Sequence, residues 1–345
     1  MTQVGLVGYG KAGAAFHAPL LRAAGLHVAV VATADPERAG QAARDIPGVV
    51  IVPDLRALLG SGELGLVVLA SPSGAHVANA RAVIDAGVPV VVDKPLACDA
   101  HSAREVIDLA AAHGVALTVF QNRRYDPEFT TMSDIVGHGV IGQVRRAEFR
   151  WERWRPVPAD RWREQATPEQ GGGVLLDLHT HLLDQAIQLF GPVESVYAEL
   201  AAWTTTAEDD TFLAARHTGG GSTHLTVSSV SGAPGPRARI VGSTGTYLLG
   251  SAGEERTAFP DADGGPGQHG WIVRGDQREA VQARAGDPAD FYRQVAAALA
   301  LTNPQDGMPV DPLDAVHVLA VIDAARVSAR TGRVVDVLTP GQDPS

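Results

Sequence analysis

Asp177, His181 and Asp184 stand at i, i+4 and i+7 in a segment, 172–189, that also holds Val174, Leu175, Leu176, Leu178, Leu182, Leu183, Ile187 and Leu189. At about 100° per residue of α-helix, the three polar side chains fall in one stripe roughly 60° wide. A helix apolar nearly all round is buried, so such a stripe is either paired internally or faces a cavity. A neutral imidazole beside a carboxylate is the usual makeup of a positioned general base, which takes the proton of a reacting hydroxyl. The same residues would also serve as a satisfied buried Asp–His network. Metal binding is disfavoured, because the rings of His179 and His181 point about 160° apart on a helix and cannot share one ion. No metal is expected.

A second centre of chemistry lies near the N-terminus. Gly8-Tyr9-Gly10-Lys11-Ala12-Gly13 follows the apolar run Val4–Val7 and opens an amphipathic stretch. Glycines at this G-x-G-x-x-G spacing permit a tight turn and let backbone N–H groups approach a pyrophosphate, which rests on the positive end of the following helix. Asp35, 22 residues past Gly13, ends the next apolar run. A carboxylate there binds the ribose hydroxyls of an adenine dinucleotide. Loop, strand and acid together point to a dinucleotide cofactor, NAD rather than NADP. Arg38, one turn further on, is the one residue that could instead meet a 2′-phosphate.

Of 28 basic residues only Lys11 and Lys94 are lysine. Lysine is a compact ammonium with a tunable pKa, where arginine is a broad fork that stays charged. Lys94 sits in Asp93-Lys94-Pro95 at the end of an apolar run, where strand ends open on a cofactor crevice. Ser71-Pro72-Ser73 also follows a strand, and His76 comes one turn into the next helix. That segment either faces the crevice or supplies Ser73 as an N-cap with His76 on a solvated face. Cys98 reads as a small buried apolar residue.

The elements that must position these groups follow from apolar patterning. Val4–Val7, Val28–Ala32, Val49–Val52, Leu66–Ala70, Val88–Val92 and Val115–Phe120 are Val-rich and unbroken, as in a parallel sheet covered on both faces. Helical stretches at Ala12–Ala24, Pro36–Arg44, Asp54–Leu59, Ala75–Ala86 and Asp99–His113 alternate with them. The spacing predicts a doubly wound α/β sheet, a Rossmann domain over 1–121. Beyond it, 126–138 reads as helix, 143–153 as strand and 154–170 as irregular. The helix 172–189 comes next, then four or five strands of period two between 193 and 250, a loop over 251–270, and helices near 288–302 and 312–330. An α+β domain with an open, mostly antiparallel sheet is expected over 122–338, with 339–345 as a tail.

At 345 residues the chain exceeds one core, and 45% hydrophobic with 19% charged residues excludes disorder. A net charge of −11 argues against nucleic acid and anionic membrane as partners. Residues 145–163 mix arginine with Trp151, Trp154 and Trp162. The interleaved Glu148 and Glu152 fit the lining of an anionic cofactor or a hydroxyl-rich substrate better than an RNA surface. The lone cysteine and the lack of a basic, apolar leader predict a cytoplasmic protein.

The chain resembles the glucose–fructose oxidoreductase / inositol dehydrogenase / rhizopine-catabolism (Gfo/Idh/MocA) family over nearly its whole length. The resemblance rests on the glycine loop, Asp93-Lys94-Pro95, Gln121-Asn122-Arg123-Arg124-Tyr125-Asp126, Arg161-Trp162-Arg163-Glu164 and Asp177-Leu178-His179-Thr180-His181-Leu182-Leu183-Asp184. The Gln121–Asp126 and Arg161–Glu164 segments are most like the scyllo-inositol dehydrogenase branch. The resemblance implies an NAD(P)-dependent oxidoreductase acting on a polyol or sugar, with Lys94, Asp177 and His181 as catalytic residues. It implies substrate contacts from Lys94, Asn122, Arg123, Asp177, His181 and Asp184. Cofactor contacts are expected from Gly8 to Gly13, Asp35, Ser71, Pro72, His76, Lys94 and Asn122, with Trp162 and Arg163 reaching over the cofactor. Dimers or tetramers are implied as well. Asp93 replaces the commoner Glu, and His179 replaces the usual Gly, which would place a polar group at the rim of the site. A nicotinamide-binding sensor without turnover and a nicotinamide-dependent glycosidase are the alternatives.

Overall fold

The computed structural model describes residues 2–252, 256–265 and 267–338; the expected tail 339–345 lies outside them. Contacts divide the chain into two compact units, Met1–Asn122 with Asp287–Val316 and Arg123–Gly286 with His317–Ser345.

The first unit is built on six strands: β1 (Gln3–Val7), β2 (His27–Ala32), β3 (Val50–Val52), β4 (Leu66–Leu69), β5 (Val90–Asp93) and β6 (Leu117–Phe120). Their order is β3-β2-β1-β4-β5-β6, and every neighbouring pair is parallel. Strand order reverses between β1 and β4, so the loops leaving these two strands flank the crevice where such sheets bind ligands. Leu66–Leu69 and Val90–Val92 are fully buried, which is why they read as unbroken apolar runs. Helices cross at Pro36–Asp45, Leu55–Leu59, His76–Asp85 and Ala100–His113. Asp35, Asp54 and Asp99 cap the first, second and fourth of these, each accepting backbone N–H groups of the first turn.

The return of Asp287–Val316 to this unit differs from the expected division, which gave 122–338 to the second domain. The reason lies at β6, the edge strand. Its Leu117 N–H donates to Gln305 Oε1 at 2.8 Å, and Thr118 Oγ1 donates to the Val310 carbonyl at 2.8 Å. Phe120 packs edge-on against Phe291, ring centres 5.0 Å apart. The returning segment satisfies an edge that would otherwise expose polar backbone and an aromatic ring. Cys98 is half-buried rather than buried.

In the second unit nine described strands form one sheet. They are β7 (Val144–Glu152), β8 (Val193–Ala201), β9 (Asp210–His217), β10 (Ser222–Ser228), β11 (Ala238–Gly242), β12 (Thr246–Leu249), β13 (Gln268–Arg274), β14 (Gln277–Gln282) and β15 (Val335–Asp336). Their order is β14-β13-β12-β11-β7-β10-β9-β8-β15, antiparallel except for the β7/β10 pair. The β13–β14 hairpin corrects the loop expected over 251–270, since Gln268–Gly270 already belong to β13. Gly275-Asp276 between paired Arg274 and Gln277 is a two-residue hairpin turn. β14 lacks the alternating apolar face that marks a strand in sequence.

The helix expected over 172–189 is two pieces, a π-helical turn Leu175–His179 and an α-helix Thr180–Phe190. Leu175, Leu176, Leu178, Leu182, Leu183, Ala186 and Ile187 are all buried. An i→i+5 turn advances less per residue than an α-helix, so the stripe drawn at 100° per residue does not carry unchanged back to Asp177. On the helix Pro312–Thr331, His317 Nε2 accepts the Val193 N–H at 2.9 Å and Ser328 Oγ accepts that of Ala198 at 2.9 Å. No described helix is long and apolar enough to cross a membrane.

Candidate active site

The glycine loop is shaped for a phosphate. Gly8 has φ +93°, and a Cβ on it would meet the Ala70 carbonyl at 2.6 Å, so the loops after β1 and β4 touch there. A Cβ on Gly13 would lie 2.2 Å from the Gly8 carbonyl, which makes this glycine necessary for the turn itself. At Gly10 the nearest atoms to such a Cβ belong to the Arg38 guanidinium, 3.8 Å away. Backbone is thus open at the central glycine, where a pyrophosphate must approach, and closed at the other two. These residues fit a dinucleotide. Lys11 is exposed, whereas the Tyr9 side chain turns inward and donates to Asp45 Oδ2 at 3.1 Å. Burial and this bond push the Tyr9 phenol up to about 12. Only the backbone of Tyr9 faces the loop's opening.

Asp35 is more committed than its sequence position suggested. Oδ1 accepts the N–H groups of Glu37 and Arg38 at 2.9 and 3.2 Å, and Oδ2 lies 3.3 Å from Arg38 Nε. Arg38 therefore already stands beside both Asp35 and Gly10.

His76 is neither on a solvated face nor turned to a crevice: it is 1% exposed. Its Nδ1 lies 2.7 Å from the Pro95 carbonyl and its Nε2 2.8 Å from that of Ser71. Burial, the dominant influence, drives His76 below the usual histidine value. A neutral ring has one N–H for two carbonyls, so it donates to one of them: the Nδ1–H tautomer bonds the loop carrying Lys94, the Nε2–H tautomer the loop after β4. Ser73 makes no side-chain cap, while Ser71 Oγ accepts from Asn79. Lys94 follows β5 directly, and its backbone N–H donates to Asp93 Oδ1 at 2.8 Å.

In the second unit, Asp177 and Arg163 face each other, Oδ1 to Nε 3.6 Å, with Arg163 also lying over Trp162 at 4.7 Å. Arg163 and Trp162 come from the short helix Trp162–Gln165 within the segment expected to be irregular. His181 is 6% exposed and stacks on Trp151, ring centres 5.9 Å apart. The same indole carries the guanidinium groups of Arg237 at 4.5 Å, Arg123 at 5.1 Å and Arg153 at 5.9 Å. Arg123 Nη1 donates to Asp126 Oδ2 at 2.6 Å, and its buried Nε has no hydrogen-bond partner among the described residues.

Asp184, expected to touch substrate, is held by Arg124 through two hydrogen bonds of 2.9 and 2.5 Å. His179 is a clear correction. It is fully buried, its Nε2 lies 2.8 Å from Thr211 Oγ1, and burial drives its pKa down to about 3. It occupies the core, not a rim, because residues two apart lie on opposite sides of a helix. Two residues escaped the sequence reading as site members, Trp151 and Arg124. The signal for Trp151 was its phase in β7, whose alternation puts Ala147, Phe149 and Trp151 on the buried face.

Residues 2–121 match the family described as an oxidoreductase family with an NAD-binding Rossmann fold. Residues 129–248 match the GFO/IDH/MocA C-terminal domain. The chain belongs to the Gfo/Idh/MocA oxidoreductase family. It is 34% identical to the uncharacterized oxidoreductase YdgJ of Escherichia coli, over 95% of this chain and 96% of that one. It is 29% identical to scyllo-inositol 2-dehydrogenase (NADP(+)) IolW of Bacillus subtilis, over 96% and 95% of the two chains. The crystal structure of an NAD-binding protein from Listeria innocua, 26% identical, superposes with a TM-score of 0.83 over 97% of each chain. The first unit of this Gfo/Idh/MocA protein is thus an NAD-binding Rossmann domain.

Proposed function

We propose that the protein is an NAD(P)-dependent dehydrogenase that reversibly oxidises a secondary alcohol of a cyclitol or sugar to a ketone. The observation that supports it most is the second unit's polar cluster. A buried imidazole is held flat on Trp151, and Arg123 on the same indole keeps an unpartnered buried N–H. An unmet donor beside a positioned base suits a ligand dense in hydroxyl groups.

The nicotinamide, when bound, supplies the hydride acceptor. His181 takes the hydroxyl proton as the C–H hydride leaves. Asp177 supports the imidazole as it gains charge, and Arg163 keeps that carboxylate oriented. Lys94 donates a hydrogen bond to the oxygen as alkoxide character develops. Asn122 and Arg123 bind neighbouring hydroxyls. NAD is proposed ahead of NADP because the Asp35 carboxylate stands just past β2, at the N-cap of the next helix, and Arg38 is the group a 2′-phosphate would need.

Reduced-nicotinamide absorbance across a panel of cyclitols and sugars tests the reading. Lys94→Ala and His181→Ala are each expected to lower kcat by about 10² or more while cofactor binding survives. Near-parental turnover by His181→Ala on the best substrate refutes the base assignment. Cofactor binding without turnover on any substrate would favour a sensor. Glycoside cleavage without net reduction would favour a glycosidase.

A further inference from the structure

A chain of polar side chains inside the first unit ends on the residue before Lys94. His17 belongs to the π-helical turn Gly13–His17 that follows the glycine loop, and Tyr292 to the returning helix Ala289–Ala298. Both are fully buried. His17 Nδ1 lies 2.6 Å from Tyr292 Oη, and its Nε2 is 3.6 Å from Asp93 Oδ2. The other oxygen of Asp93 accepts the Lys94 backbone N–H at 2.8 Å. Phe120 closes the arrangement, its ring 4.3 Å from His17 and 5.5 Å from Tyr292.

The direction of the chain follows from the groups' chemistry. Burial holds the Tyr292 phenol far above its ordinary value, so it is a protonated donor. Burial, the largest influence, opposes charge on Asp93, but its neighbours His17, Lys94 and His76 together outweigh it and keep the carboxyl below the usual range. With the His17 ring neutral and its proton on Nε2, the Tyr292 O–H donates to Nδ1; with the ring charged, Nδ1–H donates to Tyr292 Oη; in both forms the Nε2–H is aimed at the Asp93 carboxylate. At 3.6 Å that last contact is electrostatic rather than a formed hydrogen bond, and Nε2 has no hydrogen-bond partner among the described residues. Apolar side chains would fill the same core without the cost of burying these polar groups. Two distant segments, carrying His17 and Tyr292, instead lead to one carboxylate whose other oxygen accepts the backbone N–H of residue 94.

We propose that His17 and Tyr292 are positioning residues for Lys94, acting through Asp93 to fix where its ammonium is presented. The proposal rests on reading Lys94 as the donor to the reacting oxygen.

Lys11 and Lys94 are the only lysines, so amine labelling of the full chain read by mass spectrometry reports Lys94 with Lys11 as internal standard. Tyr292→Phe and His17→Leu are expected to change the Lys94-to-Lys11 labelling ratio about threefold or more. They should lower kcat about tenfold, with KM and reduced-nicotinamide affinity within about twofold. His17→Gln, which restores an N–H toward Asp93, should recover part of the kcat lost in His17→Leu. An unchanged labelling ratio in Tyr292→Phe, which removes a single oxygen and leaves the aromatic packing, overturns the proposal even if the His17 variants fail to fold. A changed ratio with parental kcat upholds the positioning and overturns the catalytic role of Lys94.

Discussion

The Arg124–Asp184 pair allows a sharp test of whether Asp184 serves substrate or scaffold. Its side chains are 13% and 2% exposed, and two hydrogen bonds join them. With charge centres about 4 Å apart, their attraction is about 4 kcal/mol at an effective dielectric near 20. Desolvation of both ions offsets most of this gain, so the pair adds little net stability, but removing one partner of such a buried pair costs about 3–5 kcal/mol. Asp184→Asn leaves a guanidinium with some access to water and should fall at the lower end, about 3 kcal/mol. Arg124→Met leaves a carboxylate with almost none and should fall at the upper end. Replacing both, Arg124→Met with Asp184→Leu, should return stability to within about 1 kcal/mol of the parent. All five tryptophans, Trp151, Trp154, Trp162, Trp203 and Trp271, lie in the second unit, so urea unfolding followed by their fluorescence reports that unit. Single variants costing under about 1 kcal/mol, or a double variant that is simply additive, would refute the ion-pair reasoning. A raised KM at parental stability would return Asp184 to the substrate.

His179 gives a pH signature. Its folded pKa of about 3 lies below the ordinary value of 6.5, so the unfolded chain binds the proton first. Stability is fully present above pH 6.5 and is lost as pH falls from there toward 3, by about 1 kcal/mol between pH 6 and 5. His179→Gln should flatten that slope in urea titrations; an identical slope in both proteins would contradict the assignment. For the cofactor, kcat/KM should favour NAD, and Asp35→Ser should narrow the gap about fivefold, equivalent to about 1 kcal/mol of relieved repulsion against a 2′-phosphate. Parity or an NADP advantage in the parent would refute it. On β10, Thr223, Leu225 and Val227 are buried while Ser222, His224 and Thr226 are partly exposed, which leaves a small-residue sheet face for a second copy. Light scattering at micromolar concentration should show a dimer or tetramer, and a monomer alone would sink that expectation.

Sequence by itself determined the six parallel strands, because a strand buried on both faces must be apolar throughout and its ends must carry turn residues. It also determined the glycine loop, Asp35, Lys94 and the polar positions of the 172–189 segment, since each is a local requirement of backbone or charge. Tertiary structure decided what depends on a partner distant in the chain. Nothing local marks Asp287–Val316 as the cover for β6, or Gln305 as the acceptor for Leu117. The β13–β14 hairpin was hidden because β14 carries too little apolar surface to show a period. The π-helical turn at Leu175–His179 altered a phase that had been drawn for an ideal helix, and His179 proved a core residue bonded to Thr211. Arg124 and Asp184 are 60 residues apart, and only folding shows that each is the other's counter-ion. Residue types disclose what a group can do; its neighbours, brought in from elsewhere in the chain, fix its charge, its orientation and whether it is free to act.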